Sequence, residues 1–362
     1  MTERDKSSTL AAVLGIVLGI LGTVLFFTVI GKPARMSGNY NNWRKLNLVL
    51  QEIQKCYVDT VDVKKVTDAA VVASLAALDP HSVYLPPVEL EKSQTELAGN
   101  FDGIGIQFNV PNDTAIVLEV IPGGPSEKVG LQPGDRILKV DSCNIAGVKF
   151  PQDSMVRRMK GRAGTEVGIL VKRGEEKIPF NIKRGKIPMH CVDAAFMIND
   201  TTGYIRLSKF SRTTFVEVSA AAEKLLDNNM KHLVFDLRDN SGGYLDQALL
   251  LSDMFLEKGD EIVYLQGLHQ KREDYKADGK GILKDVRLSV LVNENSASSS
   301  EIFAGAMQDN DRGTIVGRRS YGKGLVQESR FFSDGSGIRL TIARFYTPSG
   351  RCIQKPYSDD YQ

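Results

Sequence analysis

Three features of the 362-residue sequence predict an α/β protein with a β-rich domain inserted ahead of its main core and a helical region in front. From Cys191 onward, strand-like and helix-like runs alternate, the pattern of a core with largely parallel strands. Between Gly99 and residue 187, short β-rich runs follow one another, broken by Gly, Pro and Asp turns. Ahead of Pro80, apolar residues recur at helical spacing.

Composition narrows the function classes. Hydrophobic residues make up 42% and charged residues 25%, ordinary for a globular protein. The 46 basic and 44 acidic residues are interspersed and leave a net charge of +2, so no nucleic-acid partner is expected. Cys56, Cys143, Cys191 and Cys352 lie far apart with no Cys-x-x-Cys pair, and there are four histidines. A structural zinc site is therefore not expected, and no metal or cofactor is implied. The cysteines are expected to be unpaired and mostly buried, with one disulfide left open.

In chain order, residues 1–9 form a tail and Leu10–Ile30 is an uncharged apolar run. As a helix that run spans roughly 30 Å, the thickness of a hydrocarbon core. It ends in "TVIGKPARM", without an Ala-x-Ala cleavage site, so it reads as an uncleaved signal anchor. Arg4 and Lys6 before it and Lys32 and Arg35 after it barely decide its orientation. Residues 31–40 read as a linker. Residues 41–97 read as a helical region: Leu46, Val49, Leu50, Ile53 and Tyr57 share one helical face, and a second helix fits Val63–Leu78. Pro80 disfavours helix at Asp79 and stops it. This region is a candidate for homo-oligomer contacts, with simple packing as the bland alternative.

Residues 98–187 contain the runs "GIGIQF", "TAIVLEVI", "DRILKVD", "EVGILVKR" and "KIPFNIKR", with short helices at Ser126–Val129 and Gln152–Met159. In residues 188–362, "TGYIRLSKF", "HLVFDLR" and "LSVLVN" read as strands, and Thr214–Asn228, Tyr244–Leu256 and Glu301–Gln308 as helices. They are followed by "TIVG" and a hairpin-like "GIRLTIARFYT".

The densest chemistry lies in "VNENSASSSEIFAGAMQDN", where four serines fall within Ser296–Ser300 at the mouth of a helix. Ser298-x-x-Glu301 is a capping box, a common structural device. A serine between a buried strand and a helix N-terminus is also well placed as a nucleophile, because unpaired N–H groups and the helix dipole stabilise a developing oxyanion. Such a serine needs a base. His81, His190, His232 and His269 form no recognisable constellation, which leaves a triad assembled in space open. Lys323 in "GRRSYGKGLVQ" is the stronger candidate, with Gln327 four residues on. To act as a base at neutral pH its ammonium must be destabilised by about 4–5 kcal/mol relative to water. An apolar pocket would do this, and Ile302, Phe303 and Val326 are candidates to line it. The competing reading is a solvated turn lysine.

"NENSASSSEIFAGAMQD" with "IVGRRSYGKGLVQ" closely resembles the carboxy-terminal processing proteases, also called tail-specific proteases. "VFDLRDNSGGYLDQAL", "LDPHSVYLPP" and "TIARFYTPSGRCIQ" are similar to further segments of that family. The resemblance covers most of residues 41–355. It implies a crotonase/ClpP-like α/β protease core with an inserted PDZ domain. It also implies a nucleophile at Ser298, a base at Lys323 and an orienting amide at Gln327. Oxyanion donors would come from Gly242 or Gly243 and from the N–H of Ser299. "FDGIGIQF" resembles the PDZ carboxylate loop, whose N–H groups around Gly103, Ile104, Gly105 and Ile106 can form an anion-binding nest beside a free strand edge.

The function implied is a membrane-anchored serine endopeptidase that captures accessible apolar C-terminal tails of protein substrates and cuts them. Its protease would face the extracytoplasmic, periplasmic side. The chain stops at Gln362, short of the further strand with a Pro-Asp segment that the resemblance leads one to expect. The alternative is a catalytically silent PDZ-bearing adaptor, against which the joint presence of Ser298, Lys323 and Gln327 argues. A crotonase-type acyl-CoA enzyme is a distant third, since it has no use for an anchor or a peptide-binding insert.

Overall fold

The computed structural model of the chain describes residues 39–357. The expected membrane span Leu10–Ile30 lies outside the described residues. Among the described residues no helix is long and apolar enough to cross a membrane. The chain divides into two compact units between Ala77 and Leu78.

In the first unit lie α1 (Asn39–Cys56) and α2 (Val63–Ala76). α1 begins inside the stretch read as linker, because no glycine or proline follows Gly38 before Pro80. Asp62 caps α2 by accepting from the Lys65 N–H at 3.1 Å, satisfying one orphan donor. Leu46, Leu48, Val49, Val63 and Val72 are exposed, and of α2 only Leu75 is buried.

The second unit opens with a turn at Asp79–Ser82, then β1 (Val83–Leu85), α3 (Pro87–Ala98) and β2 (Asn100–Gly103). A small antiparallel domain follows. Its elements are β3 (Ile106–Asn109), β4 (Ala115–Val120), α4 (Pro125–Lys128), β5 (Arg136–Val140), β6 (Cys143–Asn144), α5 (Gln152–Met159), β7 (Glu166–Arg173) and β8 (Glu176–Lys183). The strand order is β3-β4-β5-β7-β8, with β6 on β5, so β3 is an edge. Alternation in β7 buries Val167, Ile169 and Val171 on one face. Met155 and Met159, four residues apart on α5, reach the same core. β9 (Gly185–Pro188) pairs with β2 and closes the domain's base.

Beyond it run β10 (Val192–Asn199), β11 (Thr202–Leu207), α6 (Thr214–Asp227), β12 (His232–Asp236), α7 (Leu245–Asp253), β13 (Glu261–Gln266) and β14 (Glu273–Lys276). The last elements are β15 (Arg287–Val292), α8 (Ser299–Asp309), β16 (Thr314–Gly317), β17 (Leu325–Phe331) and β18 (Gly337–Tyr346). One sheet has the order β10-β11-β12-β15-β16, parallel from β11 to β16, with β10 antiparallel at its edge. Phe235 of β12, Phe255 just after α7 and Phe303 of α8 meet in tilted and edge-to-face contacts at centroid distances of 5.1, 5.5 and 6.4 Å. Each such buried ring contributes about 1.5–3 kcal/mol.

A second sheet, β1-β18-β13-β14 with β17 on β18, is wholly antiparallel. The sequence reading gave no such sheet. "GIRLTIARFYT" is one long strand, β18, and its hairpin partner is β17. Cross-chain pairing of β1 and β13 with β18 leaves no local periodicity to read. The cysteines also depart from expectation: all four are unpaired, but only Cys191 is buried, while Cys56 and Cys352 are exposed. Cys56 lies on the open face of α1 and Cys352 in an extended segment near the C-terminus, and neither meets a core.

Candidate active site

The four clustered serines divide sharply. Ser296, Ser299 and Ser300 are almost fully buried, whereas Ser298 is partly open. The buried three are tethers: Ser296 Oγ donates to the Leu237 carbonyl at 2.7 Å, Ser300 Oγ to that of Asn240 at 2.9 Å, and Ser299 Oγ to that of Gly243 at 3.1 Å. They bind the turn between β15 and α8 to the loop after β12. Ser298, at the N-cap of α8, has φ 54° and ψ −111°, a sparsely populated conformation for a residue with a Cβ.

Glu301 is the hub. The residue is 3% exposed. Oε2 accepts from the Ser298 N–H at 2.8 Å, the reaching-back half of the expected capping box. The same oxygen accepts from the Lys323 N–H at 2.9 Å. Oε1 takes the Gly322 N–H at 2.6 Å and the Ser320 hydroxyl at 2.7 Å. One oxygen atom therefore holds the backbone nitrogens of Ser298 and Lys323 together.

Gly322 makes the lysine turn with φ +89°. A Cβ on Gly324 would stand 2.4 Å from the Gln354 nitrogen, so only glycine lets the segment near Lys355 close on this turn. The Lys355 N–H donates to the Gly322 carbonyl at 3.0 Å. Burial pushes the Lys323 ammonium below its ordinary range, aided by the positive Arg339 and opposed by Asp79 and Glu301. Phe303, expected to line this pocket, instead packs with Phe235 and Phe255 in the core, and Ile302 belongs to the same core.

Gln327 sits in β17 just past a bulge at Val326. Its Nε2 donates to the His81 carbonyl at 2.6 Å. That contact was not foreseen, because the turn carrying His81 reads as a helix stop within a family-like segment, with no sign of its partner in β17. Of the histidines, His81 alone stands beside the lysine turn, its ring centroid 6.5 Å from that of Tyr321. Burial and nearby Lys323 push its pKa down. His190 faces Glu217, His232 shares a hydrogen bond with Ser289, and His269 is exposed.

The two glycines after β12 are pressed against the serine turn. A Cβ on Gly242 would lie 2.7 Å from the Ala297 carbonyl oxygen, and one on Gly243 2.0 Å from that of Phe210. The Gly242 N–H is already given to Asn240 Oδ1 at 2.9 Å. Buried Asn240 also receives the Ala297 N–H at 3.0 Å and donates to the Leu207 carbonyl at 2.9 Å. Nearby, burial pushes the Asp236 carboxyl up, but hydrogen bonds from Arg238 and Tyr204 outweigh it and hold it below the carboxylate range.

In the small domain, Gly103–Ile106 turns between β2 and β3, with Gly105 at φ +75°. The Ile104 carbonyl accepts from Ser126 N–H and the Gly105 carbonyl from Ile121 N–H, both at 3.0 Å. These bonds pin the loop's carbonyls on one side, next to the unpaired edge of β3.

Comparison with known proteins bears on both regions. The signature of Peptidase family S41 matches residues 201–361, and that of the PDZ domain matches residues 103–183. A probable CtpA-like serine protease of Staphylococcus epidermidis is 32% identical over 348 residues, 93% of this chain and 70% of that protein. A probable CtpA-like serine protease of Staphylococcus aureus is 33% identical over 346 residues, covering 92% and 69%. Among solved structures, a photosystem II D1 C-terminal processing protease is 30% identical, with 87% of this chain and 85% of that one superposed at a TM-score of 0.50.

Proposed function

The chain belongs to peptidase family S41 and is a serine peptidase with a PDZ domain; on that premise we propose that it cuts C-terminal tails of proteins with a Ser298–Lys323 dyad. The observation that carries this reading is the single Glu301 oxygen that gathers the Ser298 and Lys323 backbones beside a desolvated lysine amine. Neutral Lys323 takes the proton of the Ser298 hydroxyl as Oγ attacks the scissile carbonyl carbon. Charge developing on the carbonyl oxygen is met by the N–H groups of Ser299 and Gly243, since Gly242 has committed its own to Asn240. Lys323 returns the proton to the departing amine, leaving an ester on Ser298. It then deprotonates a water, which releases the acid and restores the serine. Gln327 keeps the amine aimed at the hydroxyl.

The PDZ loop Gly103–Ile106 holds the tail's carboxylate, and the tail pairs along the edge of β3. Leu10–Ile30 anchors the chain, which an uncharged run of that length supports, and the extracytoplasmic placement of the protease rests on the family resemblance.

The test uses the full chain, purified in detergent, and an internally quenched peptide ending in apolar residues and a free carboxylate. Ser298→Ala and Lys323→Ala are each expected to lower kcat by about 10³-fold or more while the peptide still binds. Cleavage that survives Lys323→Ala would remove the dyad. Binding without cleavage by the parent chain would leave the adaptor reading in its place.

A further inference from the structure

We propose that Asp79 is a positioning residue for catalysis, acting through the His81 carbonyl on Gln327. The proposal rests on the reading above that Gln327 orients Lys323. Asp79 closes an Asx-type turn: Oδ1 accepts the N–H groups of His81 and Ser82, both at 2.8 Å, and Oδ2 accepts the Ser82 hydroxyl at 2.7 Å. That turn is fastened to one point of the second sheet. Ser82 Oγ accepts from the Thr341 N–H at 3.1 Å, and Thr341 Oγ1 lies 3.4 Å from Asp79 Oδ1. Thr341 is the cross-strand partner of Gln327 in the β17–β18 ladder. The carboxylate thus fixes the His81 carbonyl over Gln327, which meets it at 2.6 Å.

The chemistry of that contact sets the polarity of the amide. A carbonyl oxygen only accepts, so the NH₂ end of Gln327 must face His81 and Oε1 must point the other way. An amide oxygen is what a lysine amine needs as a partner: it takes one N–H and leaves the lone pair free for the serine proton. Reversed, the amide would set oxygen against oxygen at His81 and offer Lys323 a donor. Asp79 also acts on Lys323 by charge, raising its pKa.

The full chain and the quenched peptide serve, on the pH plateau where Lys323 is neutral with or without the Asp79 charge, for a double-mutant cycle of Asp79→Ala and Gln327→Ala, since asparagine would keep the Oδ1 acceptor and with it the turn. Each single variant is expected to lose about tenfold in kcat with KM within about twofold of the parent. The double variant should fall no further than Gln327→Ala. In Asp79→Asn the acidic limb of the kcat/KM profile should also move to lower pH, because the charge that raised the Lys323 pKa is gone. A purely structural Asp79 would lower Tm and leave kcat per folded molecule alone, and that result overturns the proposal. So does a double variant that loses the product of the two single losses. If Asp79→Ala does not fold, Ser82→Ala removes one arm of the turn and is expected to show the same non-additivity at smaller amplitude. An additive cycle alongside a dead Lys323→Ala sinks this proposal and spares the dyad; cleavage by Lys323→Ala sinks both.

Discussion

The serine turn and the Gly103–Ile106 loop are built from different materials. At the serine turn, side chains do most of the tethering: Ser296, Ser299 and Ser300 tie it to neighbouring carbonyls, Glu301 joins it to the lysine turn, and Asn240 takes the Gly242 N–H. At the loop, backbone groups do the work, and the nearby side chains chiefly fill a core. A centre made of side chains should fail under isosteric change. A nest made of backbone should respond only to changes in chain path.

The sharpest test of that contrast is Gly243→Ala. The added methyl would meet the Phe210 carbonyl oxygen at 2.0 Å, so the Gly243 backbone, and with it the proposed oxyanion donor, must move. A loss of about 10³-fold in kcat is expected in the peptide assay, comparable to removing an oxyanion donor. Glu301→Gln comes next. It keeps the shape but exchanges a four-bond acceptor for an amide that must present one NH₂ to N–H donors. About 10–10²-fold in kcat should go, at a cost of about 1–3 kcal/mol. The sign of its pH effect is fixed. On the proposed mechanism Lys323 works as the neutral amine, so activity is lost as pH falls through its pKa, and Glu301 raises that pKa. Glu301→Gln should therefore shift the acidic limb downward; an upward shift would break the electrostatic reading of the hub.

Gly105→Ala probes the backbone side. Its φ of +75° and a 2.9 Å approach to the Ile187 Cδ1 strain the loop without touching the dyad. KM for the carboxylate-ended peptide should rise several-fold, about 1 kcal/mol, with kcat unchanged. An amidated peptide should show no difference. Equal effects on both peptides would show that the loop does not read the carboxylate.

The smallest effect belongs to Asp135→Asn in the PDZ domain. Burial pushes the Asp135 carboxyl up, but hydrogen bonds from Arg173 at 2.7 Å and from the Gln132 N–H hold it below the usual range. Its stabilisation is therefore present above its unfolded pKa and is lost as pH falls through the folded one. Thermal melts near neutral pH should show a loss of about 1–2 kcal/mol, narrowing in acid, while kcat stays at the parent value.

Local features of the chain carried much of this architecture. The alternation in β7, the helical spacing of α1 and the strand–helix alternation of the core all depend on neighbours within a dozen residues. The catalytic candidates were marked by local chemistry too: Ser298 by its place before a helix, Lys323 by flanking glycines. Asp79 and His81 lie in "LDPHSVYLPP", which resembles a family segment, but nothing local says what they do. Their segment reads as a helix stop, and its meeting with Gln327 spans 246 positions.

Order along the chain marked the serine ahead of a helix, the paired glycines and the lysine between two more of them. Long-range folding decided which of four serines stays open, why Gly242, Gly243 and Gly324 admit no side chain, which glycine gives its N–H to Asn240, and which carbonyl the glutamine amide meets. The physical reason is that periodicity and capping are settled within a few residues, whereas hydrogen-bond partners and desolvation depend on what distant strands bring into contact.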